Sequence, residues 1–510
     1  MMSHADALFG MPFISHFAPP SDAVALIDGD SGDTLTYHEL HELVGDATDA
    51  LQAVLAGARA GGHVRANDPV FLLVRNDITS IVALFALRAA GHAVILVDAA
   101  LDASLVRALH AAYKPAFFVS SDESLPNCAI SLTISTAQRK ITLHLSALTD
   151  QHTLSDVHPD MAYGLTTSGS TGSPKLVRLT EQAIVANARS IAAALDISAD
   201  DRAITCLPLH YAYGLSLLTS HLAAGASLVV TDRGFMDGPF WTMVKTHGVT
   251  SLAGVPYMYE MLERLGPARA VPANVRVMTQ AGGRLRDESV ARLHTFMASH
   301  GGRFHVMYGQ TEATARIAVM PHEWLPARLG SAGRAIPGGA IEIHDLDTDS
   351  DSGNESHTAR VLAAGEEGEV CYRGPNVMLG YATSRDDLAH GDELGGLLHT
   401  GDIGRLDAEG CLTITGRLKR IGKLFGVRVD LDAIERQLSA EAPAAVLEGD
   451  NQLVVFTTMA ASDASSIEAL VQRLATQLRV QQRAIVVKSI DALPRTASGK
   501  MDYPALRRAL

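Results

Sequence analysis

The chain alternates short apolar runs with longer segments of mixed polarity over most of its length. Residues 69–74 (PVFLLV) and 92–98 (HAVILVD) are rich in β-branched side chains and suit buried parallel strands. Residues 34–57 place apolar side chains near helical spacing, which predicts a helix. This strand and helix alternation continues to about Leu325 and predicts an α/β fold whose large body is built from doubly wound sheets.

The pattern changes towards the C-terminus. Residues 344–360 are acidic, rich in serine and without apolar periodicity, which predicts an exposed loop. The alternating runs 368–374 (GEVCYRG) and 411–416 (CLTITG) predict strands of a small β subdomain. A compact α+β tail follows from about Lys419, without a long glycine- or proline-rich linker. We therefore expect an N-terminal body over 1–418, a short hinge, and a small C-terminal domain over 419–510.

Composition fits a large globular protein. The 510 residues exceed one usual domain, and they are 47% hydrophobic and 19% charged. The net charge of -14 disfavours binding to nucleic acid or to anionic membranes. The apolar stretch 81–97 contains Arg88, Gly91 and His92, which predicts a helix leading into a strand and no membrane span. No Lys or Arg precedes Arg59, so we expect no secretory signal. We expect a cytoplasmic location instead.

The cysteines are too widely spaced for a zinc ribbon or a CxxC redox pair. We expect all four to be buried structural thiols in a reducing compartment. They are Cys128, Cys206, Cys371 and Cys411.

The strongest single motif is TTSGSTGSPK at 166–175. Its glycines let backbone N–H groups approach oxygens, its hydroxyls donate to the same oxygens, and Lys175 adds charge, so the segment suits bound phosphates. The spacing is not that of a Walker A loop. An isolated cluster of this kind is equally typical of a flexible surface turn.

Further motifs follow in a fixed order. They are MYGQTEAT (307–314), GSAGRAIPG (330–338), GEVCYRGPNVMLGY (368–381), HTGDIG (399–404), GRLKRIGKLFGVRV (416–429) and PRTASGK (494–500). Together with 166–175, this set resembles the adenylate-forming, or AMP-binding, superfamily. That superfamily includes acyl-CoA synthetases, aryl-CoA ligases, luciferases and the adenylation domains of peptide synthetases. The resemblance extends from about Thr166 to Tyr503.

The resemblance implies a two-step reaction. ATP and a carboxylic acid first give an acyl-adenylate, with Mg²⁺ bridging phosphate oxygens, and the acyl group then passes to the thiol of CoA. The phosphopantetheine of an acyl carrier protein is the alternative acceptor. The partner of the ATP would be a small carboxylic acid.

The resemblance also assigns roles to residues at the nucleotide end. The loop would close over the β- and γ-phosphates of ATP. Tyr308 would stack on adenine, Thr311 would contact the α-phosphate, and Glu312 would hold Mg²⁺. Asp402 would accept both ribose hydroxyls, beside Arg417. The loop residues concerned are Thr167, Ser168, Gly169, Ser170, Thr171, Gly172 and Lys175.

Other roles belong to the acyl side and to domain movement. Gly282 and Gly283 would lie along the adenine and the acyl pocket, where a side chain would collide. Lys500 would bridge the carboxylate and the α-phosphate during adenylation. The C-terminal domain would then rotate about a hinge at Lys419, and Gly426 would line the tunnel for the pantetheine arm.

The acid pocket departs from the usual pattern. In LPLHYAYG (207–214), His210 precedes Tyr211, whereas the family more often has an aromatic residue followed by histidine. Leu176 also stands where the family usually has glycine, which predicts a less mobile phosphate loop. We expect the pocket to be lined by Tyr211, Ala212, Ala281 and Gly309. Val255 and Met258 are further pocket candidates, and for these two a place in the ordinary core is the favoured interpretation.

No aspartate stands near this segment to pair with an α-ammonium group, which favours an uncharged acyl or aryl acid over an amino acid. Loading of a carrier protein, amino-acid adenylation and luciferase-like oxidation are open alternatives on the same scaffold. A non-catalytic nucleotide sensor is the alternative from another class, and the intact Glu312, Asp402 and Lys500 disfavour it.

Overall fold

The computed structural model describes most of the chain. The described residues are 13–17, 19–101, 103–123, 125, 128–136, 139–149, 154–166, 175–346, 360–424, 427–439, 441–449, 452–460, 463–478, 480–496 and 500–510. The predicted loop 344–360 lies mostly outside them.

The helices are α1 (Tyr37–Ala60), α2 (Ile78–Ala89), α3 (Ala103–Tyr113), α4 (Glu181–Leu195), α5 (Ala212–Ala223), α6 (Gly238–Thr246), α7 (Pro256–Leu265), α8 (Pro267–Ala270), α9 (Asp287–Ser299), α10 (Leu431–Ser439), α11 (Ala464–Leu478) and α12 (Tyr503–Arg508).

The strands are β1 (Val24–Asp28), β2 (Thr34–Thr36), β3 (Pro69–Val74), β4 (Ala93–Asp98), β5 (Phe118–Ser120), β6 (Cys128–Ser135), β7 (Lys140–Ser146), β8 (Tyr163–Thr166), β9 (Leu176–Leu179), β10 (Arg202–Ile204), β11 (Ser227–Val230), β12 (Ser251–Gly254), β13 (Val277–Gln280), β14 (Arg303–Tyr308), β15 (Ala318–Val319), β16 (Arg334–Ala335), β17 (Ala340–His344), β18 (Gly368–Arg373), β19 (Gly380–Ala382), β20 (Leu397–Leu406), β21 (Leu412–Arg417), β22 (Ile421–Leu424), β23 (Val427–Asp430), β24 (Ala444–Glu448), β25 (Leu453–Thr457) and β26 (Ile485–Ser489).

Two large sheets form the body, as the strand and helix alternation predicted. One has the order β16-β15-β14-β13-β12-β10-β11-β1-β2 and the other β19-β9-β8-β4-β3-β5-β7-β6. Both combine parallel inner strands with antiparallel edges. The largest apolar core draws residues from both sheets and from α1, α2, α4 and α5. The predicted α/β body is thereby confirmed.

Local signals explain the first predicted elements. The runs at 69–74 and 92–98 form β3 and β4, and the apolar stretch at 81–97 forms most of α2 and then β4, as predicted. The first helix begins three residues later than its apolar pattern. The side chain of Thr36 accepts from the Glu39 backbone N–H, and Glu39 reaches back to the Thr36 backbone N–H. This capping box starts the helix at Tyr37.

The predicted small β subdomain is the sheet β17-β18-β20-β21. Its core contains Ile343, Val370 and Leu412. The C-terminal region has its own sheet, β24-β25-β26, with α10, α11 and α12. Its two apolar clusters consist wholly of residues from Val429 onward. A large body with a small α+β C-terminal unit is therefore what the chain forms.

Two expectations about composition can be compared with the structure. The cysteines are free thiols, but Cys128 is exposed on the edge strand β6 and Cys206 is only partly buried. The expectation of four buried thiols was therefore wrong for Cys128, because side chains of an edge strand alternate between core and solvent. Within the described ranges, we find no helix that combines the length and the apolarity of a membrane span.

Candidate active site

The residues singled out by the sequence gather at one edge of the sheet that contains β14. Strands β10, β12, β13 and β14 run parallel. The acid-pocket segment follows β10, residues 281–283 follow β13, and Gly309 follows β14. Because the carboxyl ends of parallel strands meet at the same edge, and open α/β sheets bind ligands there, the topology brings the predicted nucleotide and acid segments together.

Asp402 joins the large sheet to the small one. Its Oδ2 accepts from the Tyr308 hydroxyl at 2.5 Å, and its Oδ1 accepts from Arg417 Nε at 2.7 Å. Asp402 and Arg417 are direct partners across β20 and β21, and Asp402 is buried. Burial and the Asp402 carboxylate raise the pKa of Tyr308 well above its usual value, so the phenol stays protonated as a donor. A carboxylate offers about four acceptor sites, which leaves room for ribose hydroxyls.

Glu312 lies in a short 3-10 turn, Thr311–Ala313, which begins three residues after Tyr308. Its Oε1 accepts from the Tyr381 hydroxyl at 2.8 Å. Lys175 Nζ stands 3.2 Å from the centre of the Tyr381 ring. The end of the phosphate loop and the acidic residue therefore meet at one aromatic side chain. A single carboxylate at this point suits Mg²⁺, which is usually held by one or two carboxylates together with substrate phosphates.

The backbone after Glu312 is strained. Thr314 and Ala315 have φ values of 57° and 115°, a region that side chains other than glycine rarely adopt. Buried Asn376 holds this turn, since its Nδ2 donates to the carbonyls of Ala313 and Arg316 at 2.7 and 3.0 Å. Sequence reasoning did not single out Asn376. The sequence feature that could have indicated Asn376 is its position in the GEVCYRGPNVMLGY motif.

Gly309 is required by the same turn. A Cβ atom at this position would lie 1.8 Å from the Ala315 carbonyl oxygen. Its sequence assignment as a pocket-lining residue therefore has a second explanation, which is close packing of the backbone. Of the other predicted lining residues, Ala212 and Ala281 are buried in the main core.

Gly282 packs closely against Tyr211, the residue predicted to line the acid pocket. Its φ is +84°, and a Cβ there would lie 2.7 Å from the Tyr211 hydroxyl and 3.2 Å from Val255 Cγ1. Gly283 is less crowded, with the nearest atom, Pro256 Cγ, at 3.3 Å from such a Cβ. The first glycine thus lets the backbone approach Tyr211, which no other residue would allow at this φ.

The C-terminal region places Lys500 near Tyr211. Its Nζ lies 5.4 Å from the centre of the Tyr211 ring. The segment is held by Arg495, which lies 3.8 Å from Glu260 and 5.4 Å from the Tyr257 ring on α7. Residues 500 and 211 are far apart in the sequence, yet the fold brings the lysine to the acid-pocket tyrosine.

Two charged residues near Tyr211 were missed from the sequence. Asp98, at the end of β4, has Oδ2 3.9 Å from His210 Nε2. Burial lowers the pKa of His210, although Asp98 acts in the opposite direction. Buried Arg316 lies 4.5 Å above the ring of Tyr213. Nothing in the 207–214 segment indicated Asp98. Arg316 ends the YGQTEATAR run, so its position next to a recognised motif could have indicated it.

Seven predicted residues lie outside the part of the chain that the structure describes. They are Thr167, Ser168, Gly169, Ser170, Thr171, Gly172 and Gly426. Lys419 belongs to a 3-10 turn, Leu418–Arg420, at the start of the C-terminal region.

Comparison with known proteins agrees with this geometry. The family model "AMP-binding enzyme" matches residues 15–382. The 4-coumarate--CoA ligase 5 of Oryza sativa subsp. japonica is 27% identical, over 96% of this chain and 92% of that protein. A 2-succinylbenzoate--CoA ligase of Bacillus cereus is 32% identical, over 49% of this chain and 48% of that protein.

Among solved structures, the o-succinylbenzoate CoA synthetase of Bacillus subtilis, in complex with its acyl-adenylate intermediate, superposes with a TM-score of 0.71. It is 23% identical and covers 95% of each chain. The fold is therefore shared. Since the family model covers well over half of the sequence, the chain belongs to the family of AMP-binding enzymes.

Proposed function

We propose that the protein is an AMP-forming acid–thiol ligase, which activates a carboxylic acid with ATP and transfers the acyl group to CoA. The observation that carries this proposal is the position of Lys500, 5.4 Å from the Tyr211 ring. In this proposal the lysine would bridge the carboxylate of an acid bound beside Tyr211 and the α-phosphate of a nucleotide held by Asp402 and Tyr308. The family relatives named as CoA ligases support the acceptor.

In the first step, the protein must hold two anions close together, the carboxylate of the acid and the α-phosphate of ATP. Lys500 supplies a positive charge between carboxylate and phosphate, and Thr311 supplies a hydroxyl donor at the phosphate. Asp402 and Tyr308 would orient the ribose and adenine. Mg²⁺ held at Glu312 would offset negative charge on the phosphates. Positioning of the reactants then provides much of the rate enhancement.

We infer that the second step uses a different arrangement, in which Lys500 leaves the acyl group and the thiol of CoA approaches it. The boundary that we predict between 418 and 419 is supported by two neighbouring arginines. Arg417 is bonded to Asp402 of the body. Arg420 donates to Asp432 at 2.8 Å and to the Val446 carbonyl at 2.7 Å, both in the C-terminal region. Only residues 418 and 419 lie between these anchors, which suits a hinge.

The proposal is tested by incubating the protein with ATP, Mg²⁺ and a panel of acyl and aryl acids. Pyrophosphate release reports the first step, and thioester formation with CoA reports the second. We expect both with the same acid. Pyrophosphate release without a CoA thioester, together with loading of a phosphopantetheinylated carrier protein, would replace CoA as the acceptor. Absence of pyrophosphate release with every acid would favour nucleotide sensing over catalysis.

A further inference from the structure

A second group of polar side chains lies on the small sheet β17-β18-β20-β21, away from its apolar core. Ile343 and Val370 point into that core. Their neighbours one position along each strand therefore face the other side of the sheet. Antiparallel pairing sets Cys371 of β18 between Glu342 of β17 and His399 of β20. The register thus gathers a thiol, a carboxylate and an imidazole on one face.

Three potential ligands converge on this face. The nearest ligand atoms of His344, Cys371 and His399 all lie within 4.8 Å of one another, and Cys371 Sγ is 3.4 Å from His399 Nδ1. A tetrahedral ion with bonds of about 2.0–2.3 Å holds its ligands about 3.3–3.8 Å apart. One pair already has this spacing, and the remaining atom needs to move by only about 1 Å.

His344 has the hydrogen bonding of a metal ligand. It is 6% exposed, and its Nε2 lies 2.9 Å from Glu342 Oε2. A carboxylate that accepts from Nε2–H leaves the lone pair on Nδ1, which is how outer carboxylates orient metal-binding histidines. This Nδ1 is buried and has no hydrogen-bond partner among the described atoms. A buried acceptor without a donor is unfavourable, whereas a cation would satisfy it.

A carboxylate stands beside His399. Glu369 Oε2 lies 2.9 Å from His399 Nδ1, and Glu369 Oε1 accepts from the Gly401 backbone N–H at 3.2 Å. When His399 moves its proton from Nδ1 to Nε2, both Nδ1 and the Glu369 oxygen become available to an ion. The exposed side of His399 gives an ion access from solvent.

We propose that His344, Cys371 and His399 bind a divalent transition-metal ion of the Zn²⁺ class, with water or the Glu369 carboxylate beside His399 completing the coordination. Mixed nitrogen, sulfur and oxygen donors favour Zn²⁺ over Mg²⁺, so this site is distinct from the one at Glu312. Binding forms a metal–sulfur bond and releases the Cys371 thiol proton to solvent. The ion joins β17, β18 and β20, and β20 carries Asp402 three residues beyond His399. It would therefore stiffen the support of the nucleotide site.

The test uses the full chain without a histidine tag, freed of metal by chelation. Calorimetric titration with Zn²⁺ should show one tight site per chain, with a proton released on binding. Co²⁺ in place of Zn²⁺ should give a thiolate-to-cobalt absorption band in the near ultraviolet. Zn²⁺ should also raise the melting temperature, whereas equal Mg²⁺ should not.

Two variants and a matched control decide the assignment. Cys371→Ser should abolish the cobalt band, and His399→Ala, at an exposed position, should weaken Zn²⁺ binding at least tenfold while the fold stays intact. Cys411→Ser, which changes another buried thiol of the same sheet region, should bind Zn²⁺ as the parent does. The proposal is overturned if the parent shows no cobalt band, or if His399→Ala binds Zn²⁺ with unchanged affinity.

Discussion

Replacing Lys500 by alanine should separate the two half-reactions. The lysine is the one C-terminal cation that the described structure brings to Tyr211, at 5.4 Å from its ring. In our proposal it touches only the adenylation transition state. Acyl-adenylate formation should therefore collapse, whereas thioester formation from a supplied acyl-adenylate should continue.

The size of the loss follows from the surroundings of the lysine. Two unit charges about 4 Å apart, at an effective dielectric constant of about 20, interact by about 4 kcal/mol. Lys500 is partly buried, so this is an upper value for its contact with the developing charge. Loss of one oriented donor at such a centre typically costs about 2.7–4 kcal/mol. At about 1.4 kcal/mol per factor of ten, adenylation should fall by about 100- to 1000-fold.

Pyrophosphate release with the preferred acid measures the first step, and conversion of a synthetic acyl-adenylate to the CoA thioester measures the second. Lys488→Ala is the matched control, because Lys488 lies in the same region and donates to the carbonyls of Ala509 and Leu510. It should leave adenylation near the parent value. Equal loss of both steps in Lys500→Ala, with an unchanged melting temperature, would refute the assigned role.

Three further outcomes are expected. Gly426→Leu should block thioester formation and spare pyrophosphate release, because a side chain would obstruct the pantetheine arm; equal activity with CoA would remove Gly426 from the tunnel. Arg385→Ala should lower the unfolding free energy by about 1.5–3 kcal/mol in denaturant titrations, since buried Asp68 loses the guanidinium 3.0 Å away and keeps only Arg65, at 3.3 Å, as a charged partner among the described residues. Arg233→Ala, which breaks an exposed pair, should cost at most about 1 kcal/mol. An amino acid should be at least about 100-fold poorer in kcat/KM than its deaminated analogue, because its ammonium would meet the cations Lys500 and Arg316, which outnumber the Asp98 carboxylate near Tyr211; preference for the amino acid would contradict this.

The sequence predicted those features that depend on local pattern. The runs that form β3 and β4, the helix pattern of α1 and the short strands after Gly365 all carry their signal within a few residues. The ordered motifs gave the family, because each motif is a continuous segment. The order of strands in the two large sheets had no such signal, since pairing depends on contacts between distant segments.

The same distinction explains what the sequence missed in the site. Tyr381 holds Glu312 from 69 positions away, and Asn376 holds the strained turn at 313–316 from about as far. Asp98 reaches His210 from another sheet. These contacts are not evident from the residues of any single motif. They require knowledge of which strand ends share an edge.

The charges around Tyr211 give the expected rejection of amino acids a stronger basis than the absence of an aspartate in one segment. Lys500 lies 5.4 Å from the Tyr211 ring. The Tyr213 ring is centred 6.4 Å from the Tyr211 ring, and the buried Arg316 guanidinium lies 4.5 Å from the centre of the Tyr213 ring. Asp98 supplies one negative charge, and the lowered pKa of His210 keeps that histidine neutral near pH 7. Two cations against one carboxylate favour an anionic substrate. An α-ammonium group would add a third positive charge to this pocket, so a carboxylic acid without one is the better fit.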